Sequence, residues 1–192
     1  YKMKITNYNL VLGSNSPRRK EILTEMGLSF DTRVSEKKEN FSEELEGKEV
    51  SEYLSKQKSE NLSGTLKNNE LLITADTIVV NNNSILNKPE NKEEATIMLR
   101  LLSERTHQVI TSVCLTSTKK SEIFSEITEV KFSKLSEEMI NYYIDNYSPF
   151  DKAGSYGIQE WIGLIAIEKI NGSYTNVVGL PSQKLFEKIR LF

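Results

Sequence analysis

Two adjacent arginines, Arg18 and Arg19, follow Gly13-Ser14-Asn15-Ser16-Pro17 directly after the apolar run Leu10-Val11-Leu12. Ser16 is a natural helix N-cap and Pro17 suits the first helical position, so both arginines fall in the first turn of a helix. Cations there oppose the helix macrodipole, which favours negative charge at that end by about 0.3–1 kcal/mol per group. An anion would offset them. Free N–H groups, the Ser14 and Ser16 hydroxyls and two guanidiniums make a cradle for a polyphosphate, the alternative being a solvated arginine pair on a surface helix. A second segment, Leu71-Leu72-Ile73-Thr74-Ala75-Asp76-Thr77-Ile78-Val79-Val80, interrupts an apolar stretch with an acid and two hydroxyls. A carboxylate beside a core strand needs a cation, hydrogen bonds or a metal to offset its lost hydration. Asp76 could take a proton from an attacking water or hold a divalent cation, or it could be a turn aspartate at a strand end. In Asp151-Lys152-Ala153-Gly154-Ser155-Tyr156-Gly157-Ile158-Gln159, two glycines would let backbone approach a ligand, and the Gln159 amide matches the donor and acceptor on a uracil or thymine edge. A buried glutamine in an ordinary Gly-rich turn is the competing reading. Gly172 to Pro181 reads as a turn and helix start.

The elements that must carry these residues follow from the pattern. Residues 10–12 form a strand, and the helix after Arg19 runs to Met26 and stops at Gly27. Residues 31–48 are polar and read as a loop before a helix over 50–62. Strand runs at 71–73 and 78–80 flank the polar centre, and Asn81-Asn82-Asn83-Ser84 turns the chain before Ile85-Leu86. Asn91 and Glu94 supply a capping pair for a helix to Leu102. Strands over 107–116 and 123–132 form a hairpin, a helix capped by Ser136 runs to Tyr147, a strand covers 162–170, and a last helix follows Pro181. Strands alternating with helices predict an α/β fold, and the hairpin makes its twisted sheet mixed, with flanking helices.

Length and composition narrow the possibilities. The chain has 192 residues, 38% hydrophobic and 27% charged, enough for one domain or two closely packed lobes with a core. A formal charge of −2 argues against a protein that coats a nucleic acid polymer, so an anionic ligand must be held locally. No apolar stretch approaches the roughly 20 residues that span a bilayer, no signal-peptide core follows the first residues, and a cytoplasmic location is the expectation. Cys114, the single cysteine, reads as a buried structural thiol. His107, the single histidine, reads as a packing or hydrogen-bonding group, and Tyr156 and Trp161 as core residues.

Together the segments at Leu10 to Arg19, Ala75-Asp76-Thr77, Lys88-Pro89, Leu102-Ser103 with Thr106-His107, Asp151 to Gln159 and Gly172 to Pro181 resemble the Maf family of nucleotide pyrophosphatases, in order and in spacing along nearly the whole chain. The resemblance implies a Maf/ITPase-like α/β fold of two lobes around a deep substrate cleft, dependence on a divalent metal cation (Mg2+ or Mn2+), and pyrophosphohydrolysis of modified or pyrimidine triphosphates. Carried over by position, Asp76 is the general base and a metal contact. Ser14, Ser16, Arg18, Arg19, Lys58 and Lys88 are the triphosphate contacts, and Glu39 occupies the acidic loop position that helps with the metal. Arg18, Thr77 and Gln159 stand at the subclass-marking positions in the combination that resembles the dTTP/UTP pyrophosphatases rather than a 7-methyl-GTP subclass. Departures from the family pattern are Gly13 for alanine, and Asn87, Glu104 and Glu160 for glycines, of which Glu160 lies near the proposed base pocket. Dimers occur among relatives, so a homodimer is one assembly the resemblance allows.

The enzyme reading places a metal-bound triphosphate across the arginine cradle, with Asp76 activating water for attack at the α-phosphorus. The rival reading, suggested by the family's name, is a nucleotide-binding regulator of septum formation that acts without turnover. A pure binder has no need of an acid poised beside a phosphate cradle, which favours the enzyme.

Overall fold

The computed structural model describes residues 5–37, 40 and 45–192. Its core is one mixed sheet of seven strands: β1 (Asn9–Leu12), β2 (Phe30–Thr32), β3 (Glu70–Asn81), β4 (Ser84–Leu86), β5 (Thr106–Thr116), β6 (Ser121–Phe132) and β7 (Ile167–Asn171). The spatial order is β2-β1-β3-β5-β6-β7, with β4 alongside the far end of β3. β1 runs parallel to both β2 and β3, and every other pairing is antiparallel. Flanking helices are α1 (Pro17–Glu25), α2 (Lys48–Ser63), α3 (Lys92–Leu102), α4 (Glu137–Tyr147), α5 (Trp161–Ala166), α6 (Tyr174–Val178) and α7 (Ser182–Leu191). The expected mixed α/β fold is what the chain adopts.

Local signals work as the residue types require. Ser16 caps α1 by accepting from Arg19 N at 3.4 Å, Pro17 opens the helix, and Gly27 beyond its end sits at φ 73°, where a side chain is disfavoured. Asn91 caps α3 by accepting from Glu94 N at 2.9 Å, while the Glu94 carboxylate reaches one residue further back, to Glu90 N at 3.0 Å. Asn82 and Asn83, both at positive φ, make the two-residue turn that pairs Asn81 with Ser84.

Two expectations fail. The polar stretch after Asp31 is not wholly loop, because Phe30–Thr32 forms β2 on the parallel edge of β1. Three residues are too few for alternation to register, and the pairing rather than the side chains decides the state. Residues 162–170 are not one strand: 161–166 is helix α5 and only Ile167–Asn171 is strand. A short β-branched and apolar run fits either state, and Gly163 packs so tightly on the Ile158 carbonyl that a Cβ there would lie 1.8 Å from its oxygen.

Two apolar clusters carry most of the core. One joins Leu12, Leu23, Ile73, Val113, Leu115 and Leu185 beneath α1 and α7; the other joins Leu99, Phe132, Ile140, Tyr143, Tyr156 and Ile162 beneath α3, α4 and α5. On the opposite face, Ser51, Ser55 and Ser59 of α2 are buried and meet hydroxyls or carbonyls: Ser51 Oγ lies 2.6 Å from Ser112 Oγ, Ser59 Oγ donates to Thr116 Oγ1 at 2.7 Å, and Thr74 Oγ1 donates to Ser55 O at 2.7 Å. Small hydroxyl side chains let this helix lie close on the sheet with their polar atoms satisfied. Cys114 is buried, as expected.

His107 lies in the second cluster with its Nε2 2.7 Å from the Tyr156 hydroxyl and its ring edge-on to Phe132, so packing and hydrogen bonding are its observed roles. Burial pushes its pKa down to about 4. The unfolded chain, with histidine near 6.5, therefore binds a proton that the folded chain refuses between those two values. Stability falls as pH drops through that window, by about 3 kcal/mol in all from this group. Urea midpoints measured from pH 7 to pH 4.5 should decline for the wild type and decline less for His107→Gln; parallel slopes would assign the loss to other groups.

Candidate active site

The site exists because two strands stop short of each other along β3. β1 pairs with β3 only as far as Ile73, and β4 joins it only from Val79. Between them residues 74–78 have β5 on one side and, among the described residues, no strand on the other, at the carboxyl end of β1, where open α/β sheets leave a crevice. A cavity of about 620 Å³ fills the gap, a size suited to a nucleotide-scale ligand. Its walls include Ser14, Ser16, Arg18, Arg19, Lys58, Asp76, Thr77, Lys88 and Gln159, so every described residue selected from the sequence lines one cavity. Glu39 lies outside the described residues.

Asp76 and Thr77 are consecutive and point to opposite sides of β3. On the α2 side, Lys58 Nζ donates to Asp76 Oδ1 at 2.5 Å and to Ala75 O, an acceptor on the unpaired strand edge, at 3.3 Å. A carboxylate with 14% side-chain exposure thus has its cation, and Lys58, assigned to phosphate by position, is also the partner of the acid. On the other side, Thr77 Oγ1 accepts from Arg19 at 3.1 Å and lies 2.9 Å from Thr111 Oγ1. Arg19 also donates through Nε to Gly179 O at 2.9 Å and through NH1 to Ser14 Oγ at 3.4 Å. One guanidinium fork therefore ties the start of α1 to β3 and to the end of α6, where Gly179 at φ 129° turns its carbonyl inward.

Arg18 faces across the cavity mouth, with NH1 donating to Asp151 Oδ2 at 2.8 Å. Asp151 also accepts from Lys152 Nζ at 2.7 Å. Partial burial works against its ionisation, but the hydrogen bonds from Lys152 and Arg18 prevail and hold the carboxyl down at about 2. This is the anion that offsets the arginine in the first turn of α1. Lys88 and Gln159 are exposed to the cavity, and the Gln159 amide makes no hydrogen bond among the described residues.

Of the departures from the family pattern, Gly13 and Glu160 have local causes, and nothing in the structure explains Asn87 or Glu104. A Cβ at Gly13 would lie 2.5 Å from Thr74 Cγ2, so Gly13 is needed beside this threonine. Glu104 takes φ 57°, a conformation that glycine adopts without strain. Glu160 does not line the cavity: its carboxylate accepts from Lys152 Nζ at 3.0 Å and from the Tyr143 hydroxyl. Both glycines of this segment are tightly packed, and Gly157 also lines the cavity, where backbone can approach a ligand, whereas Gly154 does not. Gly154 has φ 69° and a Cβ there would lie 2.9 Å from Val79, and one at Gly157 would lie 2.8 Å from Glu160 Cδ.

Asp151 and Lys152 are the site residues that sequence reasoning passed over. Their signal was present, since they open the same Gly-rich segment, but a charged pair beside a turn reads as solvated surface until its partners in distant elements are known. Among the described residues no group of three His, Cys, Asp or Glu side chains could hold a metal. A single carboxylate nonetheless suits Mg2+, which is commonly bound by one or two carboxylates with substrate phosphates completing the shell, and Asp76 offers one such ligand.

A family model described as Maf-like protein matches residues 9–192. A dTTP/UTP pyrophosphatase of Flavobacterium psychrophilum is 52% identical over 183 residues, covering 95% of this chain and 94% of the relative. One from Parabacteroides distasonis is 47% identical over 98% of both chains, and one from Flavobacterium johnsoniae is 45% identical over 97% of this chain and 96% of the relative. A solved nucleoside-triphosphatase, a dITP/XTP pyrophosphatase from Mycobacterium abscessus, shares 8% identity at a TM-score of 0.43 over 65% of this chain and 74% of that one, too slight a likeness to bear on the site.

Proposed function

Because this chain belongs to the Maf-like family, we propose that it hydrolyses dTTP and UTP between the α- and β-phosphates, releasing the nucleoside monophosphate and pyrophosphate. The observation that carries the reading is the gap beside β3, where a carboxylate, a lysine and an arginine-led helix start converge on one cavity. Relatives named dTTP/UTP pyrophosphatase that match nearly the whole chain support it. A cytoplasmic nucleotide pool is the setting this reading assumes, and none of the described helices is long and apolar enough to cross a membrane.

The mechanism follows from the positions of the groups. The triphosphate lies along the start of α1, accepting from its backbone N–H groups and from Ser14 and Ser16. Arg18 exchanges its carboxylate partner Asp151 for a phosphate oxygen, and Lys88, which lines the same cavity, supplies a further cation. Asp76 takes a proton from a water whose oxygen attacks the α-phosphorus, the α–β phosphoanhydride bond breaks, and pyrophosphate departs with the bonding electrons. Lys58, already beside Asp76, is a fixed cation near the charge that develops. A divalent cation held by Asp76 and the phosphates would neutralise part of the triphosphate charge and polarise the phosphoryl group.

The base stands at the Gln159 end of the cavity. Its amide pairs with the N3–H and a flanking carbonyl of uracil or thymine, and a purine overfills the space a pyrimidine leaves. We expect kcat/KM for UTP and dTTP to exceed that for ATP, GTP and 7-methyl-GTP, with CTP discriminated more softly. Gln159→Glu, which replaces the amide donor with a charged acceptor, should lower the values for UTP and dTTP about 10- to 100-fold. Pyrophosphate-release kinetics on this panel decide the matter: a best rate on 7-methyl-GTP, an unchanged ranking in the mutant, or binding without release would each overturn the reading.

A further inference from the structure

The base-reading turn rests on a partly buried carboxylate that does not line the cavity. Tyr143, in the middle of α4, is fully buried, and its hydroxyl accepts from Gly157 N at 2.9 Å while donating to Glu160 Oε2. The other Glu160 oxygen accepts from Lys152 Nζ at 3.0 Å. A Cβ on Gly157 would lie 2.8 Å from Glu160 Cδ and 3.1 Å from Lys152 Cε, so carboxylate and ammonium are packed directly beneath the turn. Burial and the adjoining carboxylate push the phenol's pKa well above its ordinary value, which keeps the hydroxyl in its donor form. Gln159 lies between Gly157 and Glu160, with its own side chain exposed to the cavity and unheld by any described hydrogen bond. Its direction is therefore set by the backbone on either side of it, and both sides are pinned to one phenolic oxygen.

We propose that Tyr143, Glu160 and Lys152 form an internal clamp that fixes the Gly157–Gln159 turn, making Tyr143 and Glu160 positioning residues for nucleobase selection. This rests on the reading of Gln159 as the group that meets the base. Tyr143 and Glu160 make their side-chain hydrogen bonds inside the clamp, while Lys152 also donates to Asp151 beside Arg18; loss of the tyrosine oxygen or of the Glu160 carboxylate therefore frees the turn while the Lys152–Asp151–Arg18 contacts and Asp76 stay in place. The clamp converts a side chain with several rotamers on a Gly-containing turn into a base reader with a single backbone position.

The test is a double-mutant cycle read by calorimetry with the non-hydrolysable analogue α,β-imido-UTP, so that it does not depend on turnover. Tyr143→Phe keeps the ring in the core and deletes the oxygen. We expect it to weaken analogue binding about tenfold and to leave inorganic triphosphate binding within twofold, while hydrogen exchange at the Gly157 amide accelerates. In a Gln159→Ala background the same substitution should add less than about twofold. Glu160→Gly, which removes the carboxylate without touching α4, should give the same pattern and serves if Tyr143→Phe destabilises the core. With a turnover assay, the signature is a rise in KM for UTP with kcat nearly unchanged. Additive losses in the cycle, or equal losses for inorganic triphosphate and the nucleotide analogue, would overturn the clamp. If Gln159→Ala alone leaves analogue binding unchanged, it is the reading of Gln159 that fails, and accelerated exchange at Gly157 then shows only a structural tie.

Discussion

Asp76→Asn lowers kcat for UTP by at least about 10²-fold, the usual size of a lost general base, while substrate binding is retained or tightened. The asparagine oxygen can still accept from Lys58, and residue 76 belongs to none of the apolar clusters, so the β3–β5 register and the fold persist. What changes is charge: Lys58 loses the carboxylate that neutralises it and becomes more attractive to a polyphosphate. A fall in kcat without a rise in KM is the signature of an interaction made in the transition state alone. Turnover near the wild-type rate would remove Asp76 from the mechanism, and an equal loss of analogue affinity would recast it as a binding group. Steady-state kinetics with calorimetry on α,β-imido-UTP separates these outcomes.

Arg19→Ala should cost about 10²-fold in kcat/KM, the equivalent of one charge-assisted hydrogen bond of roughly 1.5–3 kcal/mol at a factor of ten per 1.4 kcal/mol, because loosening the helix start weakens its hold on the phosphate chain. Three tethers go at once: to Gly179 O, to Thr77 Oγ1 and to Ser14 Oγ. Arg19→Lys should recover little, since a single ammonium cannot serve three acceptors spread over the start of α1, β3 and the end of α6. Affinity for a non-hydrolysable triphosphate should fall more than affinity for UMP, because the helix start that Arg19 orients meets the phosphate chain. Equal losses for both ligands, or full recovery by lysine, would place the arginine outside the phosphate path.

Much of this arrangement is legible in the residues because the signals are local. Ser16, Pro17 and Gly27 frame α1 through capping and turn chemistry that any helix obeys, and the asparagine pair at 82 and 83 needs only its own two positive φ values. The need of the arginine pair for an anion could be read for the same reason, since two cations in a first helical turn oppose the macrodipole, and Asp151 meets that need for Arg18. The three-residue β2 and the α5-to-β7 break were not legible. Both depend on which segment lies alongside, and the close approach of Gly163 to the Ile158 carbonyl has no signature in either sequence window. The pairing of Lys58 with Asp76 and the bridge from Arg18 to Asp151 lie deeper still. Those partners are separated by 18 and 133 residues, so spacing along one element cannot reveal them.

Hydrolysis of UTP in water enriched in oxygen-18 tests the central claim most directly, because the label marks the phosphorus that water attacks. Attack at the α-phosphorus places one labelled oxygen in UMP and none in the pyrophosphate, with the two products formed in equal amounts. Label in pyrophosphate, or release of labelled orthophosphate with UDP, would show that water attacks further along the chain and would contradict the account.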